Sequence, residues 1–157
     1  MNAAIFDTIR TQLGSRAANS TVAHGILVLA VEPHAVSGLA QALKSTCGFD
    51  MLLDVTAIDW LTRQPRLDVV WHFYSTTHKV RVRVRTQVSE GDPTVDSLTA
   101  LYGSAAFMER ECHEMYGIAF RGHPDLRPIL LYEGFVGHPL RKDYPINRRQ
   151  PLIGPAH

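Results

Sequence analysis

The sequence has 157 residues, 45% of them hydrophobic and 20% charged, with a formal net charge of +1. That length suits one domain rather than two, and a chain of this size buries roughly 70% of its unfolded surface, enough for a real core. The charge balance excludes a global pull toward nucleic acid or membrane, and two cysteines, Cys47 and Cys112, exclude a disulfide framework and fit a reducing compartment.

The elements follow in chain order. Ile5, Ile9 and Leu13 recur at helical spacing before Gly14, so residues Ala3 to Leu13 read as a short amphipathic helix with a glycine stop. Asp7 and Arg10 inside that pattern argue against a signal peptide. Val22 to Val31 is apolar and β-branched and reads as one buried strand; its run from Gly25 to Val31 is too short to span a bilayer. Pro33 opens a second helix carrying Val36, Leu39, Ala40 and Leu43 and ending at Gly48. Three strands are expected next, over Met51 to Trp60, Leu67 to Tyr74 and Lys79 to Val88. The last, KVRVRVRTQV, has the cleanest two-residue period in the chain, with valines on one face and Lys79, Arg81, Arg83 and Arg85 on the other. Short links imply antiparallel hairpins.

After Gly91-Asp92-Pro93, Val95, Leu98 and Tyr102 return to helical spacing. Gly103 interrupts, Ser104 stands as an N-cap, and a further helix runs to Tyr116 with Gly117 as its stop. Beyond Gly117 no periodicity survives, and six of the nine prolines fall in residues 121–157. That segment carries 6 Lys+Arg against 3 Asp+Glu, while residues 1–120 carry 10 against 12. The expected architecture is α+β: a mostly antiparallel sheet with helices packed on one face over residues 1–120, and an extended proline-rich tail over 121–157.

Chemistry concentrates in MERECHEMYGIAFRGHPDLRPIL, Met108 to Leu130, where four carboxylates, three arginines, two histidines and a cysteine share 23 residues. Glu109 and His113 lie one helical turn apart, and His123 or His138 from the tail would be a third metal ligand, which gives a small metal-dependent hydrolase as one reading. The bland reading pairs Glu109, Arg110, Glu111 and Glu114 among themselves and with neighbours. Cys112 and His113 diverge by about 100° on a helix, so they do not form a nucleophile–base pair. Met108, Cys112 and Met115 share a face, which makes Cys112 a core residue. The arginines of KVRVRVR read as a solvated face or one meeting an acidic protein. They are not interleaved with aromatics as a nucleic-acid platform would be. The tail phrases GHPDLR and GHPLRKD combine turn, histidine and basic group, which suits a rigid ribbon that docks or an anion-binding module.

These residues also carry a family resemblance. Glu109-Arg110-Glu111, Glu114, Gly117-Ile118, Phe120, Gly122-His123-Pro124-Asp125-Leu126-Arg127, Ile129-Leu130 and Gly137-His138-Pro139-Leu140-Arg141-Lys142-Asp143-Tyr144-Pro145 resemble the 30 kDa-type (C) subunit of NADH:quinone oxidoreductase, respiratory complex I. The likeness extends more loosely upstream and covers about residues 20–147. Glu114 stands where that family usually has aspartate, His113 where an aromatic is common, Phe107 for tryptophan, and Pro128 for a second arginine.

The resemblance implies a non-catalytic peripheral-arm subunit of a proton-translocating NADH:quinone oxidoreductase, with no active site on this chain. A homologous subunit of a hydrogenase-like or other quinone-reducing complex is the near alternative. It implies no flavin, cluster or metal here, with FMN, iron–sulfur clusters and quinone on partner subunits. Two cysteines are too few for a four-thiolate cluster in any case. The implied partners are the cluster-bearing and quinone-cavity subunits. The implied location is peripheral, on the cytoplasmic face of the inner (plasma) membrane, with membrane contact only through those partners. Glu109, Arg110, Glu111, Asp125, Arg127, Arg141, Lys142 and Asp143 are then expected in buried or interfacial ion pairs that fix the tail. Glu114, His123 and His138 complete the motif.

Overall fold

A computed structural model describes residues 3–148 and 150–151. Helix α1 (Ala3–Leu13) leads into strands β1 (Ser20–Ala23) and β2 (Ile26–Ala30), then helix α2 (Val36–Ser45), preceded by a 3-10 turn at Pro33–Ala35. Strands β3 (Met51–Asp59), β4 (Leu67–Ser75) and β5 (Val80–Val88) follow, then β6 (Thr94–Asp96), helix α3 (Ala105–Tyr116) and β7 (Ala119–Arg121). Five strands form one sheet in the order β1-β2-β5-β4-β3, and β6 and β7 pair separately. The β2–β5 pair is parallel and the other pairs of the large sheet are antiparallel. The architecture is therefore the expected α+β one, with a mixed sheet.

Alternation decides the sheet's two faces. Val80, Val82, Val84 and Val88 of β5 are buried, while Arg81 and Arg85 are exposed. Leu67, Val69, Trp71 and Phe73 of β4 and Leu27 and Leu29 of β2 share the buried face. Phe6, Ile9 and Leu13 of α1 and Val36, Leu39, Ala40 and Leu43 of α2 close over it, so the helical spacing of both segments is realised as core packing. Helix α3 lies along the edge strand β3, where the Ser104 hydroxyl donates to Leu52 O at 3.0 Å.

Several expectations are corrected. The apolar run from Val22 is two strands, because His24 and Gly25 both take positive φ, 51° and 74°, and form a two-residue hairpin turn with Ala23 opposite Ile26. Lys79 belongs to the β4–β5 turn at φ 55°, and its N–H donates to Ser75 O at 2.8 Å. Val95, expected in a helix, is the centre of β6 and pairs with Phe120 of β7, which had shown no periodicity. Three residues are too few to show a period. Ser104 is helical in backbone and makes no capping bond, since its hydroxyl is committed to β3. Gly117 does end α3 in the left-handed region, at φ 79°.

The segment beyond Arg121 is folded back rather than simply extended. Phe135 stacks on Tyr144 with centroids 6.0 Å apart and meets Tyr132 edge-on at 5.5 Å. The Gln150 amide bridges Val136 in both directions, accepting from its N–H at 2.9 Å and donating to its carbonyl at 2.7 Å. Residues 152–157 of the expected tail lie outside the described residues.

Candidate functional site: the seam between domain and C-terminal segment

Helix α3 fixes the C-terminal segment through one face and one end. The buried Glu114 carboxylate accepts three successive backbone N–H groups, from Ile129 (3.1 Å), Leu130 (2.8 Å) and Leu131 (3.1 Å). Amides that converge in this way make a concave anion seat, here filled by a side chain of the same molecule. One turn earlier, Arg110 donates to the carbonyls of Arg127 (2.8 Å) and Pro128 (3.2 Å). The two side chains thus read the backbone of 127–131 as a neighbouring strand would. The expected Arg110–Glu114 pairing is absent because both groups are spent this way.

The end of α3 supplies carbonyls that have no partner within the helix. His138 Nδ1 donates to Glu114 O at 2.9 Å, and Leu140 N–H donates to Met115 O at 3.1 Å. His138 lies so close to Gly117 that a Cβ there would stand 2.7 Å from its Nε2, which adds a steric demand for glycine to the positive φ. His123 ties the earlier turn to the helix: Nε2 donates to Ala106 O at 3.0 Å, and Nδ1 accepts from Asp125 N–H at 2.9 Å.

A second cluster forms where the segment crosses the β3–β4 end of the sheet. Arg66, 4% exposed, makes two bonds to Asp59, at 2.8 and 2.7 Å. It also donates to Glu90 at 2.7 Å and to Asp143 at 3.1 Å, with a closest approach of 2.9 Å to the Asp143 carboxylate. Arg141 joins by donating to Glu90 at 2.6 Å. Lys142 contributes its backbone, whose N–H donates to Asp59 Oδ2 at 2.7 Å; the other oxygen, Oδ1, accepts from Leu61 N–H at 2.9 Å. The Arg66 guanidinium holds the Asp59 carboxyl well below the usual carboxylate range, helped by the two amides and opposed by burial. Arg66 also lowers Asp143, and the carboxylates raise Arg66 in turn.

Glu109 is fully buried and makes no ion pair. Its carboxylate accepts from the Ser97 hydroxyl at 2.6 Å and from Leu98 N–H at 2.7 Å, so it holds the β6–α3 connection. Burial pushes its pKa up against those two bonds. Glu111 is exposed. Asp125 and Arg127 do pair, at 2.8 Å, but locally and on the surface, with the Arg127 side chain 83% exposed.

The expected residues thus divide. Arg141, Lys142 and Asp143 meet in one cluster; Arg110, Glu114 and His138 meet at α3, which Arg127 joins only through its carbonyl and His123 through Ala106; Glu109, Glu111 and the side chains of Asp125 and Arg127 lie apart from both. Asp59, Arg66 and Glu90 were missed. The available signal was Asp59 at the end of the apolar run MLLDVTAID, where a charge needs a partner.

The hydrolase reading fails on geometry. Glu109 serves Ser97 and Leu98, His113 Nδ1 faces Ile118 O at 2.7 Å, and His123 serves Ala106. Among the described residues no group of three or more His, Cys, Asp or Glu is placed to hold a metal ion. Cys112 is a core residue whose thiol burial pushes well up, as the shared face with Met108 and Met115 implied. No described helix is long and apolar enough to cross a membrane.

Fold and seam define a class: a small α+β domain whose charged groups on α3 and at the β3–β4 end of the sheet fix its own C-terminal segment. The model of the family described as respiratory-chain NADH dehydrogenase, 30 Kd subunit, matches residues 29–150. The chain belongs to that family. It is 43% identical over 140 residues to the NADH-quinone oxidoreductase C subunit of Agrobacterium fabrum, covering 88% of this chain and 70% of that one. It is 39% identical over 132 residues to the corresponding NADH-quinone oxidoreductase protein of Geotalea uraniireducens, covering 83% and 80%. Among solved structures, a trypsin-resistant fragment (1-134) of Nqo5 aligns with a TM-score of 0.66 at 30% identity, covering 78% of this chain and 99% of that one. A chain of an archaeal membrane-bound sulfane sulfur reductase shares the fold, with a TM-score of 0.74 at 18% identity over 90% of this chain and 86% of that one.

Proposed function

We propose that this chain is a peripheral-arm subunit of an NADH:quinone oxidoreductase and acts there as a scaffold rather than a catalyst. In this reading it supports the subunits that carry the terminal iron–sulfur cluster and the quinone site. FMN, clusters and quinone reside on those partners, and electron transfer and proton translocation belong to the whole complex. The chain sits on the cytoplasmic face of the membrane and reaches the bilayer only through its partners. The observation that carries the reading is the seam itself. In a chain of the 30 kDa family, Arg110, Glu114 and His138 of the motif, together with the Asp59–Arg66 cluster, hold 127–143 in one path, which presents a pre-ordered surface. Leu130, Val136 and Leu140 are exposed along that path, at 63%, 60% and 49%, and are the apolar groups a partner would cover.

The test is a gentle detergent pull-down from native membranes through an N-terminal tag, with co-purifying chains identified by mass. Recovery of cluster-bearing and membrane-embedded subunits with NADH:quinone activity is expected. A partner set with a different electron donor would move the chain to a related complex, and recovery of the lone 17.5 kDa chain would reject the subunit role.

A further inference from the structure

We propose that the sheet face opposite the core is a second docking surface, built to take an extended acidic segment of a partner protein along β5. This goes beyond the scaffold role, which rests on α3 and the C-terminal segment.

Arg81, Arg83 and Arg85 occupy alternate positions of one straight strand, so their side chains leave the same face at intervals of ~6.8 Å. They stand between two rows of small or half-buried groups: Tyr74, His72 and Val70 of β4 on one side, Val28 and Ala30 of β2 on the other. The acids of this face are already engaged. Asp68, fully buried, accepts from the Trp60 indole at 3.0 Å and from Arg63, and Arg85 comes no nearer to it than 3.9 Å. Asp54 faces His72 Nδ1 at 3.4 Å.

Arg83 is aimed rather than neutralised: its Nε donates to His72 Nε2 at 2.8 Å, and its two terminal nitrogens have no partner among the described residues. Arg81 has none either. Arg81 is thus presented whole and Arg83 by its two terminal nitrogens, while Arg85 is held only by the long 3.9 Å ion pair to Asp68 and keeps donors for a second carboxylate. A carboxylate at every second residue of an extended chain repeats at the same ~6.8 Å interval and meets each of them in turn. The ridge ends at a cleft walled by Asn19, Glu32, Pro65, Arg85 and Gln87, where Glu32 bounds the stretch that accepts acid. The two rings of this face, Tyr74 and His72, are half-buried in the neighbouring strand, and His72 accepts from Arg83, so no row of exposed rings alternates with the arginines as in a stacking platform for single-stranded nucleic acid.

The test uses the full purified chain and three probes at low ionic strength: a Glu-Thr alternating octapeptide, a peptide of the same composition with Glu and Thr in separate blocks, and an oligothymidylate of equal charge. The alternating peptide is expected to bind about fivefold tighter than the blocked one, the size expected when two or three exposed ion pairs fall into register. Its binding is expected to weaken with salt and to vanish in R81T/R83T/R85T, which keeps strand propensity. Equal binding of the two peptides, no binding of either, tighter binding of the oligothymidylate, or unchanged binding in the triple variant would each overturn the proposal. The peptide comparison on the unaltered chain decides the matter even if the variant does not fold.

Discussion

Two arginine–aspartate pairs in this molecule use the same functional groups at nearly the same distance and do different work. Arg66 and Asp59 meet at 2.7 Å with side chains 5% and 0% exposed, inside a cluster that spans residues 59 to 143. Arg127 and Asp125 meet at 2.8 Å, two residues apart, with the arginine almost wholly in water. In both, the arginine depresses its partner's pKa. Only the first belongs to a cluster that ties the β3–β4 hairpin to residues 142 and 143, and only there does losing one member strand the other away from water. Depth and sequence separation, more than bond length, decide what such a pair contributes.

Removing Arg66 should have the largest effect. Arg66→Met is expected to destabilise the folded chain by ~3 kcal/mol, the low end for breaking a buried pair because Glu90 and Asp143 are half-exposed. Denaturant midpoints would measure it. Trypsin should then cut at Arg141 or Lys142 sooner than in the wild type, and an unchanged cutting rate would show that the cluster does not hold the segment.

Asp59→Asn should cost less, about 2 kcal/mol at neutral pH, because Arg66 keeps two acceptors. Its pH dependence has a fixed sign. The folded Asp59 pKa is depressed, so its contribution is present above the unfolded value of 3.8 and is lost as pH falls below it toward the folded value. The gap between wild type and variant should therefore narrow on acidification through that range. Glu109 should behave in the opposite sense. Burial raises its folded pKa, so its contribution is present below its unfolded value of 4.5 and is lost as pH rises through the folded one. Glu109→Gln, which can still accept from Leu98 N–H, should gain on the wild type as pH increases from 4 to 8. A constant difference across that range would mean that Glu109 is not the buried charge described above.

Arg127→Ala should have the smallest effect on the isolated chain, leaving the denaturation midpoint unmoved. If assembled complex falls nonetheless, the residue acts on a partner. If neither changes, its side chain has no part in the seam.

What could be read in the sequence follows the same division between local and distant. Strand β5 and helix α2 announce themselves because their periods repeat within ten residues, and the structure buries the valines and leucines so marked. Cys112 belongs to the core by the same argument. Strands β6 and β7 were not readable, since each is three residues long and makes sense only beside the other. The Arg66 cluster left a mark only at Asp59: its bonds to Glu90 and Asp143 join residues 24 and 77 positions apart, beyond any local window on the sequence. In the C-terminal segment the motif residues were visible, but their partners were not. Most of these turn out to be backbone groups, which leave no mark on the one-letter code.

The Glu114 seat has a consequence for how this segment can vary. It grips Ile129, Leu130 and Leu131 by their amides alone, so it is blind to what those residues carry as side chains. Side-chain substitutions at 129, 130 or 131 should therefore leave the path of the segment in place. One residue type is barred: proline at 129, 130 or 131 would delete a donor. Pro128, immediately before, is tolerated because Arg110 takes only its carbonyl, and the ban begins at the very next position.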